Sequence, residues 1–401
     1  MGRGRIKIPV IQVITKLELG GAQQLALHLA REINRDLFQP YLICGKGGLL
    51  DQDVLNDERI RVHWIPHMIR EIRPHLDVMA LGEIRHAIRR ILSGERQVKM
   101  SIIHTHSSKA GILGRWAARL ERIPVILHTY HGFGFHDFQP RVLRLVFETV
   151  EILTSRISHG LVMVSRANQK KAIHCGIRPK LFSKVIYGGI ELQEFLSAGE
   201  HAEGKRRELG LDDGHKVVSM ISCLKPQKAP LDFVRLAGRV GSEISEARFL
   251  LVGDGDLRSQ VAQAVARSGL QGRFQHLGWR RDVASILGLT DVLVLTSLWE
   301  GFPLTLLQAM AAGVPAVVTR VDGSPEAILD GVNGFVVEPR DVEAMAARVI
   351  QLLRDPQLRS RMGEEGRKRV QDFDIDHMVR KQEEFYLELV EAVLKGKNQC
   401  Q

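Results

Sequence analysis

The stretch Asp291–Glu326, DVLVLTSLWEGFPLTLLQAMAAGVPAVVTRVDGSPE, decides how the rest of the chain is read. Val292–Thr296 is a short apolar run of buried-strand type, and it stops at the polar, Gly-containing segment Ser297–Gly301. Pro303 suits the first turn of a helix. Leu304, Leu307, Gln308, Ala311 and Ala312 then recur at helical spacing until Gly313 and Pro315 end it, and Pro315–Thr319 reads as the next strand. A strand that feeds straight into a helix leaves free backbone N–H groups and the positive end of a helix dipole at the carboxyl edge of a sheet, a place that attracts phosphate. Glu300 stands on the turn, where a carboxylate accepts hydrogen bonds from hydroxyls, and Gln308 follows inside the helix on the face bearing Leu304 and Ala311. One polar group before the helix and one within it suit the two ends of a nucleotide-sugar.

On either side of this unit, apolar runs alternate with helical patterns. Val10–Thr15, Tyr41–Cys44, Val62–Ile65, Ser101–His104, Val125–Thr129 and Gly160–Val164 read as strands of a first series; Val217–Ile221 and Phe249–Val252 begin a second, and Asn333–Val337 carries a hairpin or terminal-strand signal. Such alternation implies an α/β chain with doubly wound parallel sheets. The expected division is 1–195, 196–375 and a closing helical segment 376–401, with the charged stretch Ser197–His215 as linker.

Several sheet-edge segments hold residues with chemistry. Gly20 and Gly21 open a helix and let a backbone approach a ligand closely, or simply make a tight turn. His104-Thr105-His106 ends a strand before Lys109; the H-x-H pair lacks a third ligand for a metal, and Lys109 suits an acceptor phosphate or faces water. His131 stands in the Gly-rich loop His128–His136. Pro140–Ile157 is apolar with Arg141, Arg144 and Arg156, and reads either as a core helix with a basic rim or as a surface helix leaning into lipid headgroups.

The 401 residues, 44% hydrophobic and 25% charged, suit about two soluble domains. No run approaches the roughly 18 apolar residues of a membrane span, and Met1–Lys16 reads as a basic start and a first strand without a signal-peptide cleavage site. Cys44, Cys175, Cys223 and Cys400 are far apart, which fits a reducing cytoplasm. The net charge is +10 and uneven: residues 1–190 carry 29 basic and 15 acidic side chains, residues 191–401 carry 27 and 31. A basic half points to an anionic partner, a membrane surface rather than nucleic acid, since no basic run is interleaved with aromatics.

The central stretch resembles the donor signature of the retaining glycosyltransferases of family 4, in which a Glu, seven residues and a second Glu precede Ala-Met, a Gly and Val-Pro. Glu300 matches the first acid; the second position is Gln308, whose amide accepts with oxygen and donates with nitrogen. The segment Ser222–Ala229 resembles the family's Arg and Lys turn: Lys228 is retained, Cys223 stands at the Arg position, and Lys225 is a nearby substitute. Gly20-Gly21 resembles the Gly-rich loop beside the donor diphosphate, His131 the strand-end His near the transferred sugar, and HLGWRRDV at His276–Val283, with Arg280, the loop that holds the base. Val185–Glu191 resembles the segment that leaves the first domain, with Gly188 where an Asn is usual.

The resemblance implies the GT-B architecture, two Rossmann-like domains facing across a cleft, with the closing helix crossing back onto the first. It implies retaining, metal-independent transfer from a nucleotide-diphosphate sugar, expected to be UDP-linked, to an acceptor hydroxyl; the basic first half suggests that this acceptor is a lipid-linked glycan in polysaccharide assembly. Glu300, His131 and Lys228 take the catalytic roles. Gly20, Gly21, Lys225, Arg280, Gly301, Phe302, Pro303, Leu304, Thr305, Gln308 and Glu326 bind donor, and His106 and Lys109 lie on the acceptor side. No cofactor or metal is expected: the Asp254-Gly255-Asp256 pair is placed wrongly for a metal motif. The implied location is the cytoplasm, peripheral on the inner face of the plasma membrane. A nucleotide-sugar epimerase on the same fold and a catalytically weak binder, suggested by Cys223 and Gln308, are the competing readings.

Overall fold

The computed structural model describes residues 7–95 and 100–398; the basic start 1–6 and Cys400 lie outside them. The chain forms two compact units, residues 1–188 with 376–401, and residues 189–375. The break at Gly188–Gly189 falls seven residues before the expected boundary of 195. Within the second unit the chain's entry and exit lie side by side: Ile190 and Asp374 form a parallel bridge, and a Cβ on Gly189 would sit 2.5 Å from the Ile375 Cα.

The first unit holds β1 (Ile8–Lys16), β2 (Phe38–Gly45), β3 (Val62–Trp64), β4 (Ile102–His106), β5 (Val125–Tyr130), β6 (Gly160–Met163) and β7 (Phe182–Val185). They pair in parallel in the order β3-β2-β1-β4-β5-β6-β7. The second holds β8 (Lys216–Ile221), β9 (Ala247–Val252), β10 (Phe274–Gly278), β11 (Val292–Leu295), β12 (Ala316–Thr319) and β13 (Gly334–Val337), in the order β10-β9-β8-β11-β12-β13. Helices cover both faces, so central strands are buried on both sides and read as apolar runs, unbroken in β11 and interrupted in β1 by Gln12. In each sheet the strand order reverses once, at β1/β4 and at β8/β11. The crevice outside the carboxyl ends of the strands at such a reversal is where open α/β sheets take ligands.

Three expectations change. β4 continues to His106, two residues beyond the expected end, so His104 and His106 project from one face of the sheet and Thr105 from the other. Of the two readings of Asn333–Val337 the terminal strand holds and the hairpin does not: Gly334–Val337 pairs in parallel with β12 at the sheet edge. Pro303 precedes the helix Leu304–Ala312, with an extended ψ of 113°, instead of lying in its first turn.

Helix Arg141–Ser155 packs Phe147 and Ile152 on the core around Tyr130, Phe135 and Leu161, yet turns much of its apolar surface outward. The side chains it buries are Glu151, Thr154 and Ser155. Val142 is 77% exposed, Leu145 65%, and Leu143, Val146 and Leu153 are exposed as well. The inward face is held by polar chemistry: the buried Arg115 guanidinium donates to Glu151 Oε2 at 2.8 Å, the Tyr130 hydroxyl donates to the same oxygen at 2.7 Å, and Trp116 Nε1 donates to Thr154 Oγ1 at 3.1 Å.

Helix Ile375–Asn398 closes the first unit. Tyr386 packs edge-on against Phe38 with ring centroids 5.8 Å apart, and Leu389 fills the space above Gly160, where a Cβ would come within 2.7 Å of its side chain.

Candidate active site

In the second unit, two loops leave the sheet at the β8/β11 reversal, 222–229 after β8 and 296–303 after β11. Gly253, beyond β9, lets the first loop pack closely: its φ is +116°, and a Cβ there would stand 2.0 Å from the Ser222 carbonyl oxygen. The loops are pinned to each other. Thr296 Oγ1 donates to the Lys228 carbonyl at 2.8 Å, Leu298 N donates to the Gln227 carbonyl at 2.7 Å, and Gln227 Nε2 donates to the Trp299 carbonyl at 2.9 Å.

This frame delivers the Lys228 ammonium onto Glu300 Oε1, to which Ser297 Oγ also donates at 2.6 Å. Glu300 is 6% exposed, and its own backbone N–H donates to Asp322 Oδ2 at 2.7 Å. Asp322 takes a φ of +39° to reach it, a conformation an L-residue holds only when its surroundings impose it. The carboxylate is therefore fixed on both sides, by the ammonium and hydroxyl at its oxygens and by Asp322 at its backbone. The helix Leu304–Ala312 begins four residues later without a side-chain cap, so its first N–H groups face the same edge. An ammonium and a row of helix-terminal amides together form an anion seat beside a carboxylate that can take hydroxyls.

In the first unit, the β1/β4 reversal carries neutral rings. His106 Nδ1 lies 2.9 Å from His131 Nε2, and His106 Nε2 lies 2.6 Å from Gln12 Oε1. Gln12 Nε2 donates to the Tyr386 hydroxyl at 3.0 Å; that hydroxyl lies 2.6 Å from His104 Nδ1, and His104 Nε2 lies 2.7 Å from Thr129 Oγ1. Both ring nitrogens of His104 and of His106 are thus engaged in hydrogen bonds, which leaves the H-x-H pair no lone pair for a metal. Burial pulls the His104, His106 and His128 rings well below the usual imidazole range, and pulls half-buried His131 to about 4.

Residues 19–194 match the family described as Glycosyltransferase Family 4, and residues 202–369 match Glycosyl transferases group 1. The Escherichia coli UDP-Gal:alpha-D-GlcNAc-diphosphoundecaprenol alpha-1,3-galactosyltransferase is 31% identical over 389 residues, which span 96% of this chain and 98% of that protein. The chain belongs to glycosyltransferase family 4. A Campylobacter jejuni relative, N,N'-diacetylbacillosaminyl-diphospho-undecaprenol alpha-1,3-N-acetylgalactosaminyltransferase, is 24% identical over 308 residues, 75% of this chain and 79% of its own. Among solved structures, Anabaena HepE in complex with UDP and glucose is similar with a TM-score of 0.81 at 20% identity, covering 95% of this chain and 100% of its own. The family 4 assignment and these neighbours make the two-sheet architecture the GT-B fold.

Within this glycosyltransferase the structure gathers Lys228, Glu300, Gly301, Phe302, Pro303, Leu304 and Thr305 at one sheet edge. Gln308 lies half-buried in the helix they precede, with no hydrogen bond from its side chain among the described residues. Lys225 is half-buried at the start of the turn Pro226–Lys228. Phe302 turns into the unit and packs on Phe373, ring centroids 5.4 Å apart, so its side chain is structural. Glu326 is half-buried in the short helix Ser324–Ala327, and its carbonyl accepts from Arg369 at 2.7 Å. Gly20 is the N-cap of helix Gly21–Glu32 and has an ordinary extended backbone.

Two cations stand engaged elsewhere. The Arg280 guanidinium is bound by Asp282 at 2.5 Å and Glu208 at 2.9 Å, after a strand two places from β8 in the sheet. Lys109 is paired with Asp77 at 2.6 Å and also donates to the Glu71 carbonyl. Sequence reading missed Ser297, Asp322 as a clamp on Glu300, Gln12 and Tyr386. Only Gln12 left a signal, a polar residue in the apolar run Val10–Ile14.

Proposed function

We propose that the enzyme transfers a hexose, with retention and without a metal, from a UDP-sugar to the hydroxyl of a sugar carried on a polyprenyl diphosphate. The observation that carries this is the Lys228–Glu300 pair beside the uncapped helix Leu304–Ala312. The donor's diphosphate takes the helix-terminal N–H groups and part of the Lys228 charge, and these fixed donors stabilise the charge that grows on the leaving UDP. Glu300, relieved of some of that ammonium, accepts from sugar hydroxyls, and Gln308 meets the ribose. In the first domain, His131 takes a substrate hydroxyl. The choice of galactose, UDP and a diphosphoundecaprenol acceptor for the first trial follows the relative from Escherichia coli.

A lipid-borne acceptor requires the enzyme to meet a membrane, and no helix among the described residues is long and apolar enough to cross one. The outward stripe Val142, Leu145, Val146 and Leu153, flanked by Arg141 and Arg156, has the chemistry of a helix lying in an anionic lipid surface. The test is incubation of the purified protein with UDP-galactose and GlcNAc-diphosphoundecaprenol in the presence of a chelator. A disaccharide lipid with an α linkage is the expected product; free galactose or an epimerised donor as the sole product would overturn the reading.

A further inference from the structure

The hydrogen-bonded chain in the first domain has a direction, and Gln12 sets it. Gln12 is 0% exposed in the middle of β1, opposite His104 in the β1/β4 register. Its amide oxygen carries no hydrogen, so the His106 Nε2 that lies 2.6 Å away must donate to it. His106 is neutral; with its proton on Nε2, its Nδ1 is a lone pair, and the partner across 2.9 Å, His131 Nε2, must carry the proton there. At the other end, Gln12 Nε2 donates to the Tyr386 hydroxyl. That hydroxyl's single hydrogen goes to His104 Nδ1, and His104 Nε2 donates on to Thr129 Oγ1.

All the donors and acceptors along this path are used once, and the end of the chain is His131 Nδ1. That atom has no hydrogen-bond partner among the described residues and is not sealed from solvent. We propose that Gln12 and Tyr386 are positioning residues: through His106 they hold His131 as the Nε2–H tautomer and present Nδ1 outward as an acceptor. An acceptor nitrogen there binds a neutral hydroxyl and rejects the ionised oxygens of a sugar-nucleotide diphosphate, which have no hydrogen to give. This rests on the reading that His131 meets a substrate hydroxyl, and it adds what selects that hydroxyl.

The experiment uses full-length protein labelled with 15N in the histidine rings, with the His131 signals assigned by comparison with His131→Asn. In the ligand-free wild type, His131 should show a pyrrole-type Nε2 and a pyridine-type Nδ1. UDP-galactose should shift Nδ1 in the direction of hydrogen-bond acceptance, and inorganic sulfate, an oxyanion with no hydrogen to donate, should not. Tyr386→Phe, which keeps the ring packed on Phe38, and Gln12→Met should both draw the two His131 nitrogens toward averaged positions and lower kcat/KM about 10-fold. A wild-type His131 with its proton on Nδ1, or variants whose ring nitrogens do not move, would overturn the relay. Intact polarity with an Nδ1 that ignores UDP-galactose would overturn the substrate contact. A wild type that transfers no sugar would refute the proposed function instead, because the tautomer is read without ligand.

Discussion

The two sheets of this transferase are wound alike, yet their reversal points are equipped in opposite ways. At β8/β11 stand an ammonium and a carboxylate in contact, Lys228 on Glu300, backed by helix-terminal amides. At β1/β4 stand uncharged rings and an amide, His131, His106, Gln12, Tyr386 and His104, joined end to end. On the function proposed above, this contrast follows from what each place would hold. A diphosphate needs fixed positive groups, whereas a hydroxyl needs one well-aimed lone pair, and burying neutral groups for that purpose avoids the desolvation penalty of an ion.

The most direct way to break this contrast is Lys228→Met. The Glu300 carboxylate would then be buried without its countercharge, and the second domain should lose about 3 kcal/mol or more in denaturant unfolding. Removal of the charge from the leaving diphosphate should also lower kcat/KM by about 100-fold or more. A Lys228→Met protein that unfolds like wild type would show that the pair is held by its loops alone.

The first domain does hold one buried ion pair, away from its histidines, and Arg115→Met probes it. Glu151 would be left unpaired, with an expected loss of about 3–5 kcal/mol in the first domain; adding Glu151→Leu should restore most of it. Acid sharpens the comparison further. His104, His106, His128 and His131 all bind protons less readily when folded, so their contribution to stability is present above about pH 6.5, where unfolded imidazole titrates, and is lost as pH falls below it. Each such ring steepens the loss toward about 1.4 kcal/mol per pH unit. Melting of the first domain followed from pH 7 to 5 should therefore fall faster than that of the second, which has no comparable histidine cluster among its described residues. The smallest effect on stability belongs to Val142→Gln with Leu145→Gln. Exposed sites of this kind change unfolding by about 0.5 kcal/mol or less, while flotation with phosphatidylglycerol vesicles should be lost.

Most of the architecture was legible because buried parallel strands are written as apolar runs of four to six residues, such as Val10–Ile14 and Val292–Leu295. β7 and β10 were not, since both are only partly buried and their sequences FSKV and FQHLG lack a continuous apolar signal. On the donor side, Glu300, Lys228 and the helix start were readable from a local motif. Asp322 was not, because its contact with Glu300 depends on where two loops meet, and Ser297 was not, because its reach to Glu300 depends on how their shared loop turns. Helix Arg141–Ser155 exposes a deeper limit. Helical periodicity reports that an apolar stripe exists and says nothing about which way it faces; here Glu151, paired with the remote Arg115, faces inward with Phe147 and Ile152, while Val142, Leu145 and Val146 face out. Tyr386 is the extreme case, brought to Gln12 and His104 from the far end of the chain.

That last position has a consequence for how the molecule is made. The helix that completes the histidine chain is synthesised after the whole of the second domain, so a ribosome must make that domain before the first can set its histidines. Until Tyr386 emerges, Gln12 Nε2 and His104 Nδ1 lack the hydroxyl that joins them inside the sheet, and the nascent enzyme is incomplete at its own beginning.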